Sequence, residues 1–138
     1  SYSQTKKLLN SCKAFIADNY SDESKVEKAN LISKVRKTLE QTETVSVNEF
    51  SKEIFGEDGL DKQFESYLSS KDNPCQMQEN DIHIEMPLVK KKNSLPKTTL
   101  YLDSNFEINI LGGHDKIVQG FDEAAGMNYY QFFYNKEK

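Results

Sequence analysis

From Thr98 to Tyr134, apolar residues fall on alternate positions between turn residues, and the stretch closes on the aromatic run Asn128-Tyr-Tyr-Gln-Phe-Phe-Tyr134. A period of two puts successive side chains on opposite faces of a pleated strand, so this third of the chain is expected to form antiparallel strands joined by tight turns. Leu100 and Leu102 begin one strand, Asp103-Ser-Asn105 turns into Phe106, Ile108 and Ile110, and Gly112-Gly113 turns again. Ile117 to Phe121 continues the pattern, and Gly126 precedes the last strand. That punctuation predicts a meander of three to five antiparallel strands. In the last of them Tyr130, Phe132 and Tyr134 share one face, and Tyr129 and Phe133 share the other. Such aromatics are able to stack on single-stranded bases. A strand apolar on both faces more simply packs on its own helices on one side and on another chain or domain on the other, which makes Tyr129, Tyr130 and Phe133 the candidate interface residues.

The first half has a different period. Leu8, Leu9, Cys12, Phe15 and Ile16 recur at three- and four-residue steps between Thr5 and Tyr20, as does the set Val26, Ala29, Ile32, Val35 and Leu39. Two amphipathic helices in an antiparallel hairpin are predicted, with Ser21 or Asp22 capping the second. The pattern lapses from Thr42 to Val45. Ser46-Val-Asn-Glu49 then reads as a capping box before a helix carrying Val47, Phe50, Ile54 and Phe55, with Gly56 as its left-handed C-terminal cap. A fourth helix carries Leu60, Phe64, Tyr67 and Leu68. Residues 69–81 are polar and aperiodic, an ordered loop or a mobile linker. Ile82, Ile84, Met86 and Leu88 alternate with His83, Glu85 and Pro87 as a half-exposed edge strand would. The expected class is α+β: one domain over residues 1–138, with helices in 1–70 and an antiparallel sheet in 82–138.

At 138 residues the chain is long enough for a hydrophobic core without disulfides or metal. Its start, Ser-Tyr-Ser-Gln running straight into a helical pattern, reads as the C-terminal part of a longer protein. No run approaches the roughly 18 apolar residues of a membrane span. Cys12 and Cys75 stand far apart with no metal-ligand spacing and are expected as plain thiols. Net charge is −4, a poor balance for a uniformly basic nucleic-acid binder. The acid is concentrated in the middle, however, where residues 45–89 hold three Lys/Arg against ten acids; residues 1–44 hold eight against six, and residues 90–138 seven against six.

Val45-Ser-Val-Asn-Glu-Phe-Ser-Lys-Glu-Ile-Phe55, the hairpin Leu100-Tyr-Leu-Asp-Ser-Asn-Phe-Glu-Ile-Asn-Ile110 and Gly120-Phe-Asp-Glu-Ala-Ala-Gly-Met-Asn-Tyr-Tyr130 together resemble the C-terminal region of the NdpA-like (YejK-type) bacterial nucleoid-associated proteins. The resemblance spans most of the chain and implies a cytoplasmic protein that associates with the nucleoid and binds double-stranded DNA. It brings no set of contact residues with it.

Contact candidates come from the residues themselves. Lys90-Lys-Lys92 with Lys97 on the same loop would place mobile charges against phosphates without reading sequence, or would simply guard an edge strand. Lys34, Arg36 and Lys37 form a second cluster, with 34 and 37 on one helix face, and an ordinary solvated face is its plainer explanation. His83 and His114 lack ligand-spaced neighbours and read as surface histidines. Asp103, Asp115, Asp122 and Glu123 sit where carboxylates cap turns. With no nucleophile, phosphate-loop, dinucleotide or metal motif present, neither an enzyme nor a cofactor, metal or small-molecule substrate is expected. The expected function is non-sequence-specific association with double-stranded DNA as part of a nucleoid-associated protein. The rival is a protein-protein or homodimerisation module that makes no DNA contact.

Overall fold

The computed structural model describes residues 3–89 and 97–138. The candidates Lys90, Lys91 and Lys92 lie outside the described residues. The α+β class is as expected, with helices mostly in the N-terminal half and antiparallel strand pairs in the C-terminal part.

Helix α1 (Gln4–Asn19) is capped by Ser3 and buries Leu8, Leu9, Cys12, Phe15 and Ile16, the stripe that the sequence marks. Helix α2 (Lys25–Glu40) begins later than predicted. Its cap is Ser24, whose Oγ accepts the Glu27 N–H at 3.1 Å, and this leaves Ser21 and Asp22 in the preceding turn. Residues 44–46, where the pattern lapses, form strand β1 (Thr44–Ser46), paired antiparallel with β2 (Asp81–His83) so that Val45 lies opposite Ile82. Three residues are too few to show a period; the strand exists because a distant partner supplies its hydrogen bonds.

Ser46 caps α3 (Val47–Phe55) by accepting the Glu49 N–H. Gly56 is right-handed at φ −64°, and the left-handed position belongs to Gly59 at φ 69°. Helix α4 (Asp61–Leu68) follows. The segment after it is an ordered loop. Buried Asn73 donates to Ser11 Oγ at 3.0 Å and to the Leu68 carbonyl at 3.1 Å, and its Oδ1 accepts the Cys75 N–H at 3.0 Å. The edge strand expected to reach Leu88 ends at His83. Met86–Val89 is a helical turn, α5, with Pro87 in the first turn, where no intrahelical N–H is needed.

The main core lies where α1, α3 and α4 meet. Phe15 packs edge-to-face on Phe55 at 5.0 Å and on Phe64 at 5.1 Å between ring centroids, and all three rings are fully buried. Val45, Ile82, Ile84 and Val89 join the same cluster, so β1, β2 and α5 belong to the helical body.

Beyond it, β3 (Thr98–Leu102) pairs with β4 (Phe106–Ile110), and β5 (Ile117–Asp122) pairs with β6 (Met127–Phe132), all antiparallel. Among the described residues these are separate two-stranded hairpins and not one continuous meander. Gly113, left-handed at φ 65°, leads into a single 3-10 turn (His114–Lys116), which carries the chain away from β4 instead of reversing it alongside. The hairpins meet the body through a second, small cluster of Val26, Leu100 and Ile110, with Ile117 and Tyr130 half-buried against it. Lys25 Nζ donates to the Thr99 carbonyl at 3.0 Å and Ser24 Oγ to Gln119 Oε1 at 3.0 Å, adding polar ties at the same place.

Leu100→Ala removes the largest buried group that β3 contributes to this joint and should cost about 2–5 kcal/mol at the hairpins. Hydrogen exchange is expected to accelerate across residues 98–132 while the amides of α1, α3 and α4 keep their protection. Equal loss of protection in both regions would mean that the hairpins and the helical body unfold as one unit.

Candidate nucleic-acid interface and the exposed hairpins

Helix α2 holds one basic cluster, and the structure ties both flanks of the other cluster to it. Arg36 is half-buried: its Nε–H donates to the Val89 carbonyl at 2.8 Å, and its guanidinium pairs with Glu40 at 3.2 Å one turn on. Val89 is the residue immediately before Lys90. Lys37 Nζ reaches Asp115 Oδ2 at 3.4 Å. The neighbouring His114 bonds Thr98 Oγ1 through Nε2 at 2.8 Å, and Thr98 follows Lys97. Val89 therefore lies beside the C-terminal half of α2, whereas Thr98 stands one residue before Thr99, whose carbonyl accepts from Lys25 at the N-terminal end of the helix. Lys34 and Lys97 are exposed and make no ion pair among the described residues.

The charges around this corner differ. Lys34 and Lys37 line a groove of ≈ 450 Å³ that also holds Glu23, Glu27, Glu57 and Asp58. Four carboxylates against two ammonium groups make the groove itself a poor seat for phosphate. A polyanion is better met on the side toward Val89 and Lys97, away from those acids.

His83 is exposed on β2, as expected. His114 is not the surface histidine that its place beside Gly112-Gly113 suggested: it is fully buried between the 3-10 turn, β3 and α2. Its Nδ1 has no hydrogen-bond partner among the described residues. The sequence could not show this, because burial here comes from the way the hairpin docks on α2 and not from local apolar residues. Burial holds the imidazole pKa below its ordinary value, and the adjacent Asp115 carboxylate offsets part of that effect. Cys12 is buried and Cys75 half-buried, both as free thiols, and burial pushes the Cys12 thiol well above its ordinary range. No group of three or more His, Cys, Asp or Glu able to hold a metal occurs among the described residues.

The second unusual surface is apolar. Among the described residues, the large exposed hydrophobic side chains all fall between residues 101 and 134. Within β6 and its continuation the expected packed face is covered only in part: Tyr130 is half-buried toward the joint, but Phe132 and Tyr134, which alternate with it, are exposed, as Tyr129 and Phe133 are, because the hairpin reaches beyond α2. Between the two hairpins, Tyr101, Phe106, Met127 and Tyr129 line a groove of ≈ 520 Å³. Of these the sequence pattern marked Phe106 as a strand residue and Tyr129 as an interface candidate; it singled out neither Met127 nor Tyr101, which is exposed under the Lys25 ammonium, 5.4 Å from the ring centre.

The sequence matches the protein family described as "Nucleoid-associated protein YejK" over residues 1–133. No curated protein and no solved structure matches it.

The His114 environment gives a pH signature. The unfolded chain takes up a proton on this imidazole near its ordinary pKa of about 6.5, and the folded chain resists until lower pH. The contribution of neutral His114 is thus complete above that value and is lost as pH falls through it toward the depressed folded pKa. Thermal melts are expected to show the wild-type midpoint falling from pH 7 to pH 5, and His114→Gln should flatten that slope. A slope unchanged in the variant would assign it to other groups.

Proposed function

The chain belongs to the nucleoid-associated protein YejK family, and from that premise we propose that it contributes non-sequence-specific double-stranded DNA contact at the corner formed by the C-terminal half of α2. Lys90, Lys91, Lys92 and Lys97 would supply the phosphate contacts, and Lys34, which lines the acidic groove, would add less. Arg36 and Lys37 are already engaged, Arg36 with the Val89 carbonyl and Glu40 and Lys37 with Asp115. What supports the reading is that the described residues flanking the lysine segment, Val89 on one side and Thr99 on the other, both bond to α2, the helix that carries the second basic cluster. Lysines suit the task because flexible ammonium groups neutralise phosphates whatever the base sequence. On this reading the protein works in the cytoplasm, at the nucleoid. The exposed hairpins favour a second reading, an association module with no DNA contact of its own.

Fluorescence anisotropy with duplex DNA over a salt series separates the two. Binding should weaken steeply with salt and depend little on sequence. Lys97→Gln should lower the log-log salt slope by about one, and substitution of Lys90, Lys91 and Lys92 together by about three, whereas Lys34→Gln should lower it less. Absence of binding at low salt would remove the DNA role from this chain and leave the association reading.

A further inference from the structure

We propose that the groove between the two hairpins docks a segment of another protein that carries aliphatic side chains together with lysine or arginine. Tyr101, Phe106, Met127 and Tyr129 line this groove of ≈ 520 Å³, and the first three are exposed at 66%, 58% and 67%. Uncovered aromatic and thioether surface gathered around one cleft marks an interaction site on a folded protein. One wall is preformed. A Cβ on Gly120 would collide with the Tyr129 ring, which lies against the neighbouring strand where glycine leaves room for it.

Charge identifies the occupant. Asp103 lines the groove, and the strand registers set Glu107 opposite Tyr101 and Asp122 opposite Met127, so each of those two lining residues has a carboxylate for its cross-strand neighbour. Residues 98–134 hold five carboxylates against the single cation Lys116. Asp115 pairs with Lys37, but Asp103, Glu107, Asp122 and Glu123 make no ion pair among the described residues. Unneutralised carboxylates repel nucleic acid and anionic lipid, and they set like charge against like when two copies of the groove face each other. A basic segment meets the opposite condition: its cations answer the carboxylates, while methylene stems and aliphatic neighbours cover the rings. The chain itself makes one contact of this kind, with Lys25 Nζ 5.4 Å from the centre of the Tyr101 ring. The inference goes beyond the DNA reading and rests on the association reading, to which it gives a partner chemistry.

Nuclear magnetic resonance of the isotope-labelled full chain, titrated to millimolar concentration with a peptide of alternating lysine and valine, tests the docking. Saturable amide shifts are expected at residues 101–106 and 126–130 and should weaken with salt. A peptide with glutamate in place of lysine should leave those amides unmoved. Asp103→Asn with Glu107→Gln should raise the dissociation constant at least about threefold. Asparagine tolerates the left-handed φ of 52° that Asp103 holds, so this variant keeps the turn. Phe106→Ser should raise the constant at least about fivefold, and Glu53→Gln, exposed on α3, should change nothing. Silence at the groove amides, an equal response to the glutamate peptide, or an affinity indifferent to the groove substitutions overturns the proposal. Movement of the same amides on dilution of the chain alone assigns the groove to a second copy, which defeats this inference and leaves the association reading standing; movement on adding duplex DNA alone defeats it in favour of nucleic acid. Peptide docking without DNA affinity upholds this inference and removes the DNA reading, whereas duplex binding with no response to the peptide does the reverse.

Discussion

The contact of Val26 with Leu100 and Ile110 is what the outer part of the molecule depends on. A two-stranded hairpin in water is marginal by itself, because each strand satisfies half of its backbone and buries one face at best. Here β3–β4 obtains its burial from α2, and β5–β6 obtains less, through half-buried Ile117 and Tyr130. The joint in turn is only as firm as α2. That helix is held by Val35 and Leu39 in the main core, where the rings of Phe15, Phe55 and Phe64 lock the other helices together. Order therefore runs outward from the phenylalanine cluster to α2, and from α2 to hairpins that keep much of their apolar surface in water.

Helix α2 also fixes the distance between the two surfaces to which function is assigned. Its N-terminal end carries Ser24, Lys25 and Val26, which hold the hairpins, and its C-terminal half carries Arg36 and Lys37, which hold the flanks of the lysine segment. Sixteen residues of helix span about 24 Å, with no internal break to flex. One rigid rod thus holds Val89 near its C-terminal end and Thr99 near its N-terminal end, so both described flanks of the lysine segment are fixed to the same helix.

Much of this was legible in the sequence, for identifiable reasons. The α1 stripe, the Ser46 cap and the division of Tyr129 and Phe133 from Tyr130 follow from periods of 3.6 and 2, which local sequence carries. What was not legible depends on distant partners. Strand β1 is three residues long and exists through its pairing with β2. The loop after α4 is ordered because Asn73 finds Ser11 sixty-two residues away. His114 is buried by docking, and the link from Thr98 to Lys37 passes through His114 and Asp115, a chain of contacts that no spacing rule encodes.

An acidic chain assigned to the nucleoid raises an electrostatic difficulty, and the layout of charge bears directly on it. With three Lys/Arg against ten acids in residues 45–89, most of the helical body repels phosphate, so a duplex would be met in few orientations, with the α2 corner leading. A corner of a few cations, of which Arg36 and Lys37 already pair with Glu40 and Asp115, would give only weak and salt-sensitive contact, so the electrostatics of this chain alone favour brief, sequence-indifferent encounters with a duplex.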